Sequence, residues 1–394
     1  MSENSKINFE DTATAFAHKS DVDLKKSYFM FSAMNYPWIV SAGTFLTASA
    51  LKAKLPVKSL IKKTLFEQFC GGESIEGSEP RMIQLAESNV KTILDYSVEG
   101  EASEEGYEEV LEEALRVSTY AKEHVSIPFC VIKLSGLGSP KLMAKKQSGE
   151  ELTNSEELRL QKILDRIDRI VGHAVANEMK FMIDAEESWI QDVIDRITYD
   201  LMLKYNKKKP YVYNTYQMYR HEALSNMKEG FKEVTGSGCY FAAKLVRGAY
   251  MEKERDRAEE LRYPDPIQTS KEGTDLDYDA GLAFAVENIE RFALCAGTHN
   301  EASCQFLANL MDTHRLANDD SRVYFAQLLG MSDNISFKLA DLGYNVAKYV
   351  PYGPVEKVLP YLFRRADENT SIAGQSGREY RLVQKELNRR RSKK

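Results

Sequence analysis

The chain lacks any cysteine pair with metal or disulfide spacing. Its five cysteines (Cys70, Cys130, Cys239, Cys295 and Cys304) include no CxxC and no zinc-ligand interval. Cys130, Cys239 and Cys295 stand in apolar runs, so they read as small core residues of a protein kept in a reducing compartment. There is no excess of basic residues: the net charge of −6 argues against a nucleic-acid partner. No GxGxxG follows the first strand-like run and no GxxxxGK[ST] occurs, which removes a Rossmann dinucleotide site and a P-loop. Gly136-Leu-Gly138 and Gly236-Ser-Gly238 are too short to count and read as turns. The first residues, MSENSKINFEDT, are polar and acidic, unlike a secretory signal or an Arg-rich transit peptide. Long uncharged runs are also scarce. One, Ser27 to Leu51, approaches the length of a membrane span. Asn35, Pro37 and Gly43 dilute it, and Lys52, Lys54, Lys58, Lys62 and Lys63 follow. The expectation is a buried helix pair packed on the main domain, with contact to a membrane surface as the second use and a true span as the least favoured.

What is present is an ordinary soluble composition, 43% hydrophobic and 28% charged. A length of 394 residues allows two average domains or one large α/β barrel with an extension. From about residue 90, apolar strand-like runs alternate with amphipathic charged stretches such as Glu104–Glu123 and Glu156–Asn177. The runs are Thr92–Tyr96, Phe129–Leu134, Lys180–Asp184, Tyr211–Tyr216, Tyr240–Val246, Arg291–Ala296, Val323–Leu328 and Ala347–Val350. Eight near-continuous apolar strands fit a closed parallel (β/α)8 barrel, whose strands are buried on both faces. The expected division is a helical arm over 1–88, the barrel over 89–372, and a short basic tail over 373–394 that frays at its end.

In such a barrel, chemistry sits at the C-terminal ends of the strands. Those ends carry Lys133 and Ser135, Asp184 with Glu186 and Glu187, Asn214, Lys244 with Arg247, Gly248, Ala249 and Tyr250, Thr298-His299-Asn300, Gln327 and Leu328, and Tyr349. Singly, each has an ordinary explanation. Lys133 can be a solvated lysine, Asp184 a helix N-cap, His299 a satisfied turn residue. Seven such ends on one rim favour a site over coincidence. Beyond them, Tyr361, Arg364, Arg365 and Glu368 fall at i, i+3, i+4 and i+7, one stripe of a helix. Two adjacent guanidinium groups suit a substrate carboxylate. A solvated face with Arg364 paired to Glu368 is the alternative.

The segments Lys-Leu-Val-Arg-Gly-Ala-Tyr (244–250), Gly-Thr-His-Asn (297–300), Asp-Ala-Glu-Glu (184–187) and Tyr-Leu-Phe-Arg-Arg-Ala-Asp-Glu-Asn (361–369) resemble the proline dehydrogenase family over roughly residues 60–372. The resemblance implies a (β/α)8 barrel with its eighth helix over the mouth and FAD bound without a Rossmann fold. It implies oxidation of L-proline to 1-pyrroline-5-carboxylate, with electrons passed to a membrane quinone. By it, Lys133, Arg364 and Arg365 hold the substrate carboxylate. Leu328, Tyr349, Tyr361 and Tyr250 wall the pyrrolidine ring, and Asp184 supports the catalytic lysine. For the flavin, it implies Lys244 near N5 and Asn214 at the ring edge. Val246, Arg247, Gly248 and Ala249 would follow the ribityl chain and pyrophosphate, and Thr269, Lys271 and Thr274 the adenosine diphosphate. Thr298, His299 and Asn300 would lie toward the adenine, and Glu368 at the ribose or behind the arginines. Lys244 and Asn214 stand where fused bacterial relatives carry Arg and Gln, so the likeness is to the monofunctional, eukaryote-like branch. The location implied is peripheral to the bacterial inner membrane, or the matrix side of the mitochondrion. Two rivals remain: a dehydrogenase of hydroxyproline or another cyclic amino acid, and a metal-dependent lyase or hydrolase built from Asp184, Glu186, Glu187 and His299. No metal site is expected from the spacing.

Overall fold

A computed structural model describes residues 6–36, 38, 43, 58–98, 103–371 and 375–393, with side chains at 60, 367–371, 375 and 376 left out. Eight strands occur: β1 (Val90–Tyr96), β2 (Phe129–Ile132), β3 (Lys180–Ile183), β4 (Val212–Gln217), β5 (Phe241–Val246), β6 (Phe292–Gly297), β7 (Val323–Leu328) and β8 (Val346–Tyr352). They close into a barrel in chain order, and the registered pairs are parallel, for example Thr215 beside Lys244 and Lys244 beside Cys295. The expected (β/α)8 barrel is the fold. Strand ends differ from the sequence-based ranges by no more than two residues. The agreement has a physical basis. β2, β4 and β8 are buried at every position, and two-sided burial demands unbroken apolar runs.

The chain forms two compact units, one from residues 101–326 and the other from 5–100 with 327–394. In the first, the N-terminal halves of β2, β4 and β7 are plugged by aromatics. Phe129 meets Tyr213 edge-on at 5.3 Å and Tyr324 at 4.8 Å between ring centres. The Lys180 ammonium caps the Tyr324 ring at 4.6 Å. This filled floor leaves the polar residues at the other strand ends.

In the second unit, the helix Asp21–Met34 opens on a capping box between Ser20 and Asp23. Its Leu24 and Phe31 join Phe69, Val358 and Leu362 in one apolar cluster. The tail differs from its expectation. It is a helix, Gln375–Arg391, with Leu382 and Val383 fully buried in that cluster. Arg390 donates to the carbonyls of Phe16 (2.8 Å) and Lys19 (2.9 Å) and to Asp21 (2.9 Å). Arg389 and Arg390 bracket the buried Glu386. The reason is spacing: positions 379, 382, 383, 386, 387 and 390 make one helical stripe, which the charge density of the segment conceals. Ser27 to Met34 of the uncharged run lies in the arm helix; most of the remainder lies outside the described residues. Among the described residues no helix is long and apolar enough to cross a membrane.

Candidate active site

In the first unit, the barrel brings three charged groups together. Lys133 leaves β2, Asp184 leaves β3, and Lys244 stands on β5. The Lys244 ammonium donates to one Asp184 oxygen, and the Lys133 ammonium is 3.6 Å from the other. Two ammonium groups thus share one carboxylate. Lys244 is 4% exposed, so its charge needs a partner. Lys133, with 28% of its side chain exposed, retains access to solvent.

The neighbouring carboxylates are already committed. Glu186 is buried and accepts the Ser135 amide at 2.9 Å. Burial pushes its pKa up to about 7. Glu187 pairs with Lys253. Among the described residues no group of three or more His, Cys, Asp or Glu is placed to hold a metal ion. One network was not read from the sequence. Gln217 donates to the Glu186 carbonyl (2.7 Å), Gln191 accepts the Glu186 amide (2.8 Å), and Gln191 and Asn214 both donate to Asp195 at 2.8 Å. Asn214 is therefore turned toward the helix Ser188–Tyr205 and away from the Lys133–Asp184–Lys244 group. Burial pushes the Asp195 carboxyl up to about 6. Its signal was faint, one acid on an amphipathic helix.

A second cluster joins residues expected to meet the cofactor. Arg247 donates to Asp275 (2.7 Å), Thr298 (2.6 Å) and Ser303 (3.0 Å), and lies over the Tyr278 ring at 4.4 Å. Lys271 holds the other oxygen of Asp275. Thr274 is buried on the same helix as Asp275, and Thr269 is exposed just before that helix's N-cap, Ser270. His299 is half-buried between Thr298 and Asn300. Asn300 caps the helix Glu301–Thr313, accepting from the amides of Ala302 and Ser303, so the ordinary explanation accounts for its side chain. Ala249 donates its amide to Gln217 at 3.4 Å. Tyr250 sits at the N-terminus of the helix Met251–Leu261.

The second unit carries the remaining candidates. Leu328 ends β7, half-buried, and Tyr349 on β8 is 8% exposed. The Leu329 amide donates to the Tyr349 carbonyl at 2.8 Å, fixing the two chains side by side. Tyr361, Arg364 and Arg365 lie on the helix Leu359–Ser371. The Arg365 guanidinium is 5.3 Å from the centre of the Tyr361 ring, which is the i, i+4 stripe read from the sequence. Tyr361 and Arg365 are buried and Arg364 half-buried. The Glu368 side chain lies outside the described residues, so its pairing with Arg364 does too.

The first unit carries hydrogen-bond donors of the kind a flavin nucleotide needs. Gly248 has φ +135°, and a Cβ there would strike the Tyr219 ring at 2.5 Å. Gly297 would carry a Cβ 3.0 Å from Val246. These glycines keep the chain thin after β5 and at the end of β6. Thr215, register partner of Lys244, has a buried hydroxyl oxygen without a hydrogen-bond partner. With Lys244 beside it on β5 and Arg247 and Lys271 joined through Asp275, the donor set suits an anionic, hydrogen-bonding cofactor.

All five cysteines are free and buried. Burial pushes the thiols of Cys130, Cys295 and Cys304 up to about 12, so little thiolate forms. A colorimetric thiol reagent should find no fast-reacting group in the native protein and five after unfolding. A rapid native stoichiometry of one or more would contradict the burial.

Residues 79–378 match the family model described as proline dehydrogenase. The chain is 30% identical over 433 residues to proline dehydrogenase 1, mitochondrial, of Dictyostelium discoideum, covering 98% of this chain and 76% of the relative. It is 35% identical over 272 residues to the hydroxyproline dehydrogenase of Xenopus laevis, covering 68% and 58%. Among solved structures, proline utilization A of Bdellovibrio bacteriovorus, inactivated by N-propargylglycine, superposes with a TM-score of 0.71 at 19% identity. That match covers 93% of this chain and 37% of the other, and bears on the fold alone.

Proposed function

Because the chain belongs to the proline dehydrogenase family, an oxidoreductase family, we propose that it oxidises L-proline to 1-pyrroline-5-carboxylate with FAD as its cofactor and a membrane quinone as final acceptor. The observation that carries this reading is the sharing of Asp184 by Lys133 and Lys244. It gathers two ammonium groups around one carboxylate at the strand ends where a barrel does its chemistry. The family resemblance assigns the proline carboxylate to Lys133 in the first unit and to Arg364 and Arg365 in the second. Each charge-assisted hydrogen bond there contributes about 1.5–3 kcal/mol. Leu328, Tyr349, Tyr361 and Tyr250 supply the apolar and aromatic wall that orients the ring. Asp184 fixes both ammonium groups, so that Lys133 meets the substrate and Lys244 the cofactor. Val246, Arg247, Gly248, Ala249, Lys271, Thr274 and Thr298 would hold the FAD, with Thr269, His299 and Glu368 as outer members of the set, while Asn214 and Asn300 serve Asp195 and the helix Glu301–Thr313 instead. The bound flavin would supply the acceptor for a hydride from the carbon beside the ring nitrogen. The purified protein should therefore be yellow, and anaerobic L-proline should bleach its visible band. A colourless protein, or a band indifferent to proline, would refute the assignment.

The Xenopus relative's name keeps a second substrate in view. Tyr349 decides between them, because its bulk beside the ring crowds a ring hydroxyl. Tyr349→Ser should weaken proline turnover and raise trans-4-hydroxyproline relative to proline. An unchanged ratio of kcat/KM would remove Tyr349 from the pocket wall.

Electron delivery to a quinone requires membrane contact, and the arm offers a surface for it. Val22, Phe29 and Tyr36 are 62%, 71% and 54% exposed at seven-residue intervals, with Trp38 at 70%. That spacing sets Val22 and Phe29 on one stripe of the helix Asp21–Met34, with Tyr36 just beyond its end. The protein belongs at the face of the bacterial inner membrane or on the matrix side of the mitochondrion. Alkaline carbonate should release it from membranes; retention until detergent is added would contradict peripheral binding.

A further inference from the structure

Among the described residues, Lys348 is the largest charged side chain hidden completely, at 0% exposure. It stands on β8 next to Tyr349, and its ammonium spends all three hydrogens on one short turn. It donates to the Leu328 carbonyl (3.3 Å), the Met331 carbonyl and the Asp333 carboxylate (2.9 Å). The turn needs such a clamp. Gly330 takes φ +79° and Ser332, a non-glycine, takes φ 51° and ψ 43°. Both termini of the chain reinforce it. Lys19 of the arm reaches the second Asp333 oxygen at 2.9 Å. Glu379 of the C-terminal helix accepts the Ser332 amide at 2.6 Å. Burial works against the Asp333 carboxylate, but Lys19 and Lys348 more than offset it and hold its pKa below the ordinary range.

A buried lysine is a costly way to fill space, and a methionine would pack there without desolvating a charge. What only the lysine does is fix the carbonyls of 328 and 331 relative to β8. We propose that Lys348 is a positioning residue of the substrate pocket: it sets Leu328 against Tyr349, and the arm and the C-terminal helix, through Lys19 and Glu379, hold that setting. The proposal rests on the reading that Leu328 and Tyr349 wall the substrate ring. It makes the two chain termini determinants of ring selectivity, although neither need touch the substrate.

The test uses the full-length holoenzyme, normalised to flavin. Lys348→Met leaves Asp333 with Lys19 alone, so the informative variant is Lys348→Met with Asp333→Asn, which removes the buried Lys348–Asp333 pair together. It should keep its thermal midpoint within a few degrees while KM for L-proline rises about tenfold, with a smaller change in kcat, because the ring is misplaced rather than the chemistry lost. The kcat/KM ratio of proline to trans-4-hydroxyproline should move as it does in Leu328→Ala. Glu379→Gln keeps an acceptor for the Ser332 amide and should behave as wild type, whereas Glu379→Leu should follow the double variant. Wild-type KM and ratio in a folded double variant, alongside altered values in Leu328→Ala and Tyr349→Ser, would overturn the positioning role alone. Wild-type values in those two wall variants would overturn the wall, and the proposal with it. If the double variant does not fold, Glu379→Leu decides by the same measurements.

Discussion

Arg365→Met should raise KM for L-proline by about tenfold to a few hundredfold, the cost of losing about 1.5–3 kcal/mol of charge-assisted binding. Arg365 is 8% exposed and its guanidinium lies over Tyr361 on the same helical stripe. Arg364 is its neighbour, half-buried, and leaves the helix about 100° away. Two such groups can grip one carboxylate from two directions, so Arg364→Met should act alike. FAD content and thermal stability should change little, because losing one of two like charges also relieves their repulsion in the empty site. Arg365→Lys separates charge from shape: the charge stays and the planar fork goes, so KM should fall between wild type and Met. Carboxylate inhibitors should weaken in parallel, and a cyclic amine without a carboxylate should bind all forms equally. Steady-state kinetics with an artificial electron acceptor provides the check. A variant that unfolds or sheds flavin, yet keeps the wild-type KM, would make the stripe a structural face.

The barrel was legible because its signal is local and repeated. Each parallel strand needs several consecutive apolar residues, and eight runs marked eight strands. The stripe on the helix Leu359–Ser371 was legible for a similar reason, since Tyr361 and Arg365 meet through the local i, i+4 geometry. Contacts built from distant parts of the chain were not. Lys348 lies within β8 and carries no mark of burial in the sequence, because its partners at 328, 331 and 333 lie at or after the end of another strand and Lys19 comes from the arm. The C-terminal helix was hidden for the opposite reason. Its charged residues outnumber its apolar ones, yet Glu379 is buried against the Ser332 amide, a partner the local sequence does not contain. Asn214 shows the limit of resemblance: its position was identified, but its side chain turns to Asp195, nineteen residues back.

The second large effect concerns Asp184, where stability and activity should separate. Removing its carboxylate by Asp184→Ala leaves Lys244 buried at 4% exposure beside Lys133, two cations without their shared anion. Breaking a buried pair from one side costs about 3–5 kcal/mol, so the single variant should unfold at clearly lower denaturant and lose nearly all activity. Lys244→Met alone should cost less, because Asp184 keeps Lys133 and is 14% exposed, so water can reach it. The double variant Asp184→Ala with Lys244→Met removes the stranded charge as well as its partner. It should recover much of the lost stability, so that the two single effects exceed the double by roughly 1–3 kcal/mol, the range for coupled neighbours. Activity should not recover, since Lys133 is no longer held for the substrate nor Lys244 for the cofactor. Equilibrium denaturation of the four proteins gives the coupling, and stopped-flow reduction by proline gives the activity. Additive stabilities would mean that water or a rearranged neighbour already satisfies Lys244. Recovered activity in the double variant would mean that the Lys133–Asp184–Lys244 group serves the fold and not the reaction.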